Sequence, residues 1–268
     1  MNEEQFLWEE IEKLLPKYQN SEKFNSFDFQ KFALYSLIAH STAIEGSTLS
    51  ELDTQLLFDD GITAGGKPLV HHLMNEDLRG AYIYIEEKIQ EKSRVRRAHQ
   101  PVTEIVEVIS ADFLKICNAK IMKSTGGIMN TANGSFNSAN GDFRLCGVIA
   151  GVGGKSYMNY QKIEPKILEF CNKINEKIAL SDIKNCYRLS FEAHYDLATI
   201  HPWIDGNGRT ARLVMNYIQA LNNFPMLKVY KEDKKEYILT LQKSQSQEDN
   251  LPFIVFMQKQ LVKMLSEL

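Results

Sequence analysis

Apolar positions recur at helical spacing along most of this chain. Phe6, Leu7, Ile11, Leu14 and Leu15 form one stripe, the pattern that turns a single helix face toward a core. A second run, FDFQKFALYSLIAHSTAIEG, is predicted to stop at Gly46, because glycine readily takes the left-handed conformation that ends helices. Ser50 is placed to cap ELDTQLLFD, and Gly61 to Pro68 reads as a turn. Further helices are predicted in HHLMNEDLRGAYIYIEEKIQE and, after Pro101, in TEIVEVISADFLKICNAKI. From Glu164 onward the helical period returns, broken at residues 201–212 and near Pro225.

Two regions depart from that period. Ser124 to Gly141 is rich in glycine, asparagine and serine and offers little to bury, so a long mobile loop is expected. FRLCGVIA and KSYMNY are β-like and flank GVGG, which predicts a hairpin there. The fold class expected is all-α with one small β-hairpin, and no internal repeat is evident.

Composition narrows the class. With 268 residues, 44% hydrophobic and 24% charged, the chain can bury a sizeable core without staples. A net charge of −3 gives no electrostatic case for nucleic acid. The opening MNEEQFLWEEIEKLL is acidic and broken by charges, unlike a signal peptide, and no apolar run is long enough for a membrane span. Cys117, Cys146, Cys171 and Cys186 lie far apart without a CxxC spacing, so reduced, mostly buried thiols in a cytoplasmic protein are expected.

Several tempting motifs fail on spacing. GVGGKS has isoleucine (Ile149) where a phosphate loop needs its first glycine, and GGKP has proline in the hydroxyl position. DGNGR begins like a calcium loop, but its sixth and twelfth positions are Thr210 and Asn216. His40, His71, His72, His99 and His194 are scattered and read as surface or core histidines.

The stretch His201 to Arg212, HPWIDGNGRTAR, lies between two helical runs. Gly206, Asn207 and Gly208 let successive N–H groups turn inward at the start of a helix, an anion nest reinforced by the helix dipole. Arg209 and Arg212 are three apart and are expected to share a face above it. Asp205 beside them makes sense if it holds a divalent cation that phosphates also bind. His201 is then a candidate base for a nucleophile attacking phosphate. Residue chemistry supports a metal-assisted phosphate site and leaves open which bond breaks.

HPWIDGNGRTAR resembles the HPFx(D/E)GNGRxxR motif of the Fic (filamentation induced by cAMP) family, with Trp203 in place of phenylalanine. Gly141-Asp142-Phe143-Arg144 resembles the opening of that family's target-binding flap, and Ser41 to Gly46 (STAIEG) its inhibitory (S/T)xxxE(G/N) motif. YKEDKKEYILTLQKSQSQEDNLPFIVFMQ is similar to its closing helices.

The resemblance implies the Fic-fold helical bundle and transfer of AMP from ATP to a Ser, Thr or Tyr of a protein, self-modification included. It makes His201 the general base and Asp205 the Mg²⁺ ligand. The backbone of Gly206 to Arg209, with the Asn207 side chain, becomes the anion hole. Arg209 and Arg212 meet the outer phosphates, and Trp203 is an apolar anchor. Tyr237, followed here by Ile238 rather than a second tyrosine, is placed at the nucleotide. Leu145, Cys146, Gly147, Val148 and Ile149 form the flap edge that pairs with an extended target segment. Ser41, Glu45 and Gly46 carry autoinhibition, with Glu45 against Arg212. Residues 1–60 become a helical extension bearing the inhibitory motif, and residues 61–268 the catalytic part. ATP and an unidentified target protein are the partners expected, a homodimer is allowed for, and AMP removal or nucleotide sensing by the same site are the alternatives.

Overall fold

A computed structural model describes residues 2–24, 26–97, 108–149, 154, 156–178 and 182–267. Ten helices run through these residues: α1 (Glu3–Gln19), α2 (Phe27–Ile44), α3 (Glu51–Asp60), α4 (Leu69–Arg97), α5 (Ala111–Ile121), α6 (Ile163–Lys177), α7 (Ile183–Ile200), α8 (Asn207–Leu221), α9 (Lys234–Gln247) and α10 (Leu251–Leu265). One two-stranded antiparallel sheet, β1 (Ile128–Thr131) and β2 (Gly134–Asn137), completes it. The fold class expected from the periodicity is the one found. Among the described residues no helix is long and apolar enough to cross a membrane.

α8 is the axis of the bundle. Thirteen of its residues, from Asn207 to Leu221, are buried, so it is enclosed on every side rather than along one stripe. One apolar cluster joins Leu213 and Tyr217 of α8 to Leu78 and Tyr82 of α4, Leu114 of α5 and Ile167 of α6. A second joins Met215 to Trp8 and Ile11 of α1 and to Phe253 and Met257 of α10. α7 feeds both, through Leu197 on one side and Phe191 on the other. The first 60 residues are not a loose appendage, because Tyr35, Ile38, Leu57 and Phe58 sit in the first cluster.

Local signals behave as the chemistry requires. Ser50 and Asp53 form a reciprocal capping box on α3. α2 ends at Ile44, and Gly46 follows at φ +104°. Cys117, Cys171 and Cys186 are buried free thiols, with Cys146 partly exposed.

Two expectations need correction. Residues 124–141 are not a bare loop, because β1 and β2 pair in register from Ile128↔Asn137 to Thr131↔Gly134 and Phe136 is buried. Gly141 closes this region against α5 so tightly that a Cβ there would lie 1.9 Å from the Lys115 carbonyl oxygen, at φ +73°. The hairpin predicted around GVGG is much slighter. It has one bridge, Ile149↔Ser156, and one further bond from the Tyr157 N–H to the Val148 carbonyl at 3.0 Å. Ala150 to Gly153 and Lys155 lie outside the described residues.

α5 also starts later than its periodicity suggests. The Asn175 side chain accepts from the Val108 and Ile109 N–H groups and donates to the Ile109 carbonyl. That capture holds the backbone extended until Ser110 caps the helix. The earlier part of the predicted helix, residues 103–107, lies outside the described residues.

Candidate active site

α7 stops at Ile200 because His201 takes the left-handed conformation (φ 52°, ψ 60°) and Pro202 follows. A non-glycine residue there costs about 1–2 kcal/mol, so surrounding contacts must hold it. They are present. The His201 carbonyl accepts from Arg144 Nε at 2.9 Å, and the Pro202 carbonyl accepts from the Arg144 N–H at 3.0 Å. Trp203 is fully buried and donates from its indole to the Gly141 carbonyl at 2.9 Å. That is the apolar anchor expected at this position.

The loop then turns into α8. Gly206 is the N-terminal cap at φ +78°, with no side chain bonded to the first N–H groups of the helix. Those donors and the helix dipole face one place. Asn118 of α5 supports the turn from below, donating to the Asp205 carbonyl (3.3 Å) and to Thr210 Oγ1 (3.1 Å). Gly208 lies in the first turn, and a Cβ on it would be 2.3 Å from Glu45 Oε1. The missing side chain at Gly208 is therefore what lets an anion reach the helix start.

In this structure that anion is Glu45. Its carboxylate pairs with Arg212 at 2.6 Å. Arg212 is also held by α2, donating from Nε to Ser41 Oγ (2.8 Å) and from Nη2 to the Ser41 carbonyl (2.9 Å). Ser41, Glu45 and Arg212 are thus brought together, with Gly46 just beyond. Desolvation would raise the Glu45 carboxyl, but the charge and hydrogen bond of Arg212 hold it below the usual carboxylate range. It is an ionised group seated on a cation and a helix N-terminus.

His201 is the other titrating group. Burial pushes its imidazole down to about 4, against a ring hydrogen bond to the Ala198 backbone that works the other way. It is neutral at physiological pH, with one ring nitrogen bonded and the other left as acceptor. Asp205 is 66% exposed, accepts from the Gly206 N–H at 2.5 Å and lies 3.6 Å from Arg209.

Three placements differ from expectation. Arg209 and Arg212 do not stand together over the nest. Arg212 turns to α2, whereas Arg209 is buried against the end of α5, donating to the Ile121 carbonyl and contacting Met122 Sδ, both at 3.4 Å. The Asn207 amide is spent within the loop, accepting from the Trp203 N–H (3.0 Å) and donating to the Trp203 carbonyl (2.9 Å). It shapes the turn, and only the backbone is left to meet an anion. Tyr237 is buried, its hydroxyl between Arg212 Nη1 (3.3 Å) and His194 Nε2 (2.9 Å). It braces the arginine. The adjoining cleft of about 860 Å³ is lined instead by Tyr157, Met158, Thr199, Leu239, Gln242 and Gln245.

The flap residues Leu145 to Ile149 lie alongside. Arg144, buried at 1% exposure, donates to the Cys146 carbonyl (2.6 Å) and the Met158 carbonyl (2.5 Å) while holding His201. One arginine thereby ties both arms of the flap to His201. Leu145 accepts from Asn133 of the β1–β2 turn at 3.0 Å, and Ile149 is 58% exposed. Sequence reasoning missed Asn118 and Tyr157. Asn118 carries no local signal, and Tyr157 is only one of several aromatics in the flap.

Comparison with known proteins agrees with this geometry. Residues 108–219 match the Fic/DOC family. The chain is 26% identical over 236 residues to a protein adenylyltransferase Fic from Nematostella vectensis, covering 84% of this chain and 46% of that protein. It spans about half the length of that relative or less in others of the kind. Its fold matches a Fic domain-containing signaling protein from Bacteroides thetaiotaomicron (TM-score 0.71, 22% identity, 99% of this chain and 95% of that one). A Fic family protein from Desulfovibrio desulfuricans matches with TM-score 0.73 at 18% identity, over 100% of this chain and 74% of that one. The uncapped helix start, the histidine before it and the match over residues 108–219 make that part of the chain similar to the Fic/DOC family, on a fold shared with solved Fic proteins.

Proposed function

We propose that this chain transfers AMP from ATP to a hydroxyl of a protein and that Glu45 holds the activity in check. The observation that carries the reading is the Glu45 carboxylate on Arg212 and against Gly208. A site that accepts an internal anion at an open helix N-terminus is built for an external one. The curated relatives named protein adenylyltransferase support the choice of anion. Residues 1–60 then act as the regulatory extension and residues 61–268 as the catalytic part.

In this reading the α8 N–H groups receive phosphate oxygens, and Arg212 neutralises the outer phosphates once Glu45 has left. The free nitrogen of His201 takes the hydroxyl proton as the oxygen bonds to the α-phosphorus and pyrophosphate departs. Phosphates and the target hydroxyl thus need two adjoining places, the helix start and the cleft beside Tyr157.

Among the described residues no three His, Cys, Asp or Glu side chains converge as a metal site. The chain offers a cation one exposed carboxylate, Asp205. That set fits Mg²⁺, which is commonly held by one or two carboxylates together with substrate phosphates and waters. When bound it would supply charge neutralisation on the phosphates.

A second reading reverses the chemistry. Glu45 is ionised, and its side chain is 32% exposed, so it could align a water that removes AMP from a modified protein. Incubation with ATP labelled at the α- or the γ-phosphate separates these outcomes. Retention of the α-label alone, lost in His201→Ala, supports transfer. Absence of α-label in every variant, with release of AMP from a modified protein, supports removal.

A further inference from the structure

Tyr157 of the flap lies flat on His201. The ring centroids are 3.7 Å apart and the planes 12° from parallel. We propose that Tyr157 is the positioning residue of the His201 base, its ring setting the plane from which the free imidazole nitrogen meets the incoming hydroxyl. The inference rests on the AMP-transfer reading and adds to it a residue that acts through the base.

The argument begins with what one hydrogen bond leaves undefined. The Ala198 backbone engages one ring nitrogen of His201, which selects the tautomer. The outer side-chain torsion of histidine is broad and roughly two-fold, so the ring plane needs a second contact. A parallel aromatic face supplies it, and stacked rings attract through their offset charge distributions.

Tyr157 is itself held. Its N–H donates to the Val148 carbonyl at 3.0 Å, and its neighbour Met158 accepts from Arg144, which also binds the His201 carbonyl. Base and stacking ring are therefore referenced to one buried arginine. Among the described residues no hydrogen bond reaches the Tyr157 hydroxyl, which makes the ring the working part.

The stack also shields one face of the imidazole, and burial is the main reason its affinity for protons is low. The charges acting on that ring are Arg144 of the flap, Glu45 just past the end of α2 and Asp205 of His201's own loop. None of them is removed by changing Tyr157.

The test uses the full chain with Glu45→Gly, adding Tyr157→Phe or Tyr157→Ala. Two readouts are taken: AMP transfer at varied ATP, and the NMR titration of the His201 ring. Tyr157→Ala should lower kcat roughly tenfold or more with the KM for ATP within about twofold, and should move the His201 midpoint upward as water reaches the ring. Tyr157→Phe, which keeps the ring, should restore most of the rate and the original midpoint.

An unchanged rate and midpoint in Tyr157→Ala would overturn the proposal. Loss in Tyr157→Phe as deep as in Tyr157→Ala would also overturn it, by assigning the work to the hydroxyl. If no variant transfers AMP, the titration still decides. A shifted midpoint restored by Phe upholds the stack while the transfer reading fails, and an unshifted one defeats both.

Discussion

Residues 201–212 and residues 143–160 meet at Tyr157, yet they are built on opposite plans. In the first, a left-handed histidine, a buried tryptophan and an inward-turned asparagine fix the loop by bonds to its own backbone and to Arg144 and Gly141, leaving the α8 N–H groups presented. In the second, the described residues carry one β-bridge and a few backbone bonds gathered on Arg144. On the proposed function, the difference follows from what each would do. Donors that stabilise charge work only when fixed beforehand, whereas an edge that recruits a strand needs free backbone groups. Glu45 bears on the rigid partner, which is where a single carboxylate can have the largest effect.

The sharpest way to break the comparison is to remove the base. His201→Ala should cut AMP transfer by at least about 100-fold in a Glu45→Gly background, while calorimetry shows Mg·ATP affinity changed by no more than severalfold. Transfer at an undiminished rate would place the base elsewhere.

Next come two glycines, Gly141 where the chain enters the flap against α5 and Gly147 within the flap. Gly141→Ala puts a methyl 1.9 Å from the Lys115 carbonyl oxygen at a positive φ, so denaturant unfolding should show a loss of about 2–4 kcal/mol. Gly147→Ala in the flap meets nothing within 4 Å and should stay within about 0.5 kcal/mol of the parent. Similar losses at both positions would mean the flap is as tightly packed at Gly147 as at its entry on α5.

A smaller effect should appear with pH. The His201 imidazole is pushed down to about 4, and Glu45 is one of the groups holding it up. In Glu45→Gly the midpoint should fall no higher than that. A base must be unprotonated, so the rate should stay level down to about pH 5 and fall only below it. An ordinary histidine would lose half its activity near about pH 6.5. A pH–rate profile with its midpoint there would show a solvated, unshielded ring.

The smallest effect on nucleotide chemistry is expected from Ile149→Pro. It disturbs the bridge to Ser156 and removes an edge donor, so modification of a protein target should weaken while ATP affinity holds. Equal loss of both would make the flap part of the nucleotide site.

Much of this was legible in the chain because it rests on short-range chemistry. The helical period gave the bundle, and glycines beside Asn207 marked a helix start open to anions. Other features depend on partners far away in sequence. Asn175 delays the start of α5 by capturing Val108 and Ile109, and nothing near either segment announces it. Sequence alone leaves the Asn207 amide free to face a ligand, and only the fold shows it bonded to the Trp203 backbone. The resemblance places Tyr237 at the nucleotide, whereas His194 and Arg212 claim its hydroxyl. The β1–β2 pairing was hidden because its polar residues read as loop, although Asn133-Gly134 is a hairpin signal.

The central claim is that Glu45 occupies the place of the ATP phosphates. The most direct measurement is self-labelling by α-labelled ATP with Mg²⁺, comparing the parent chain with Glu45→Gly. The contact is intramolecular, so free nucleotide competes against a high effective concentration, and removing the carboxylate should raise labelling by about tenfold or more. Labelling of Glu45→Gly equal to or below that of the parent would contradict the account.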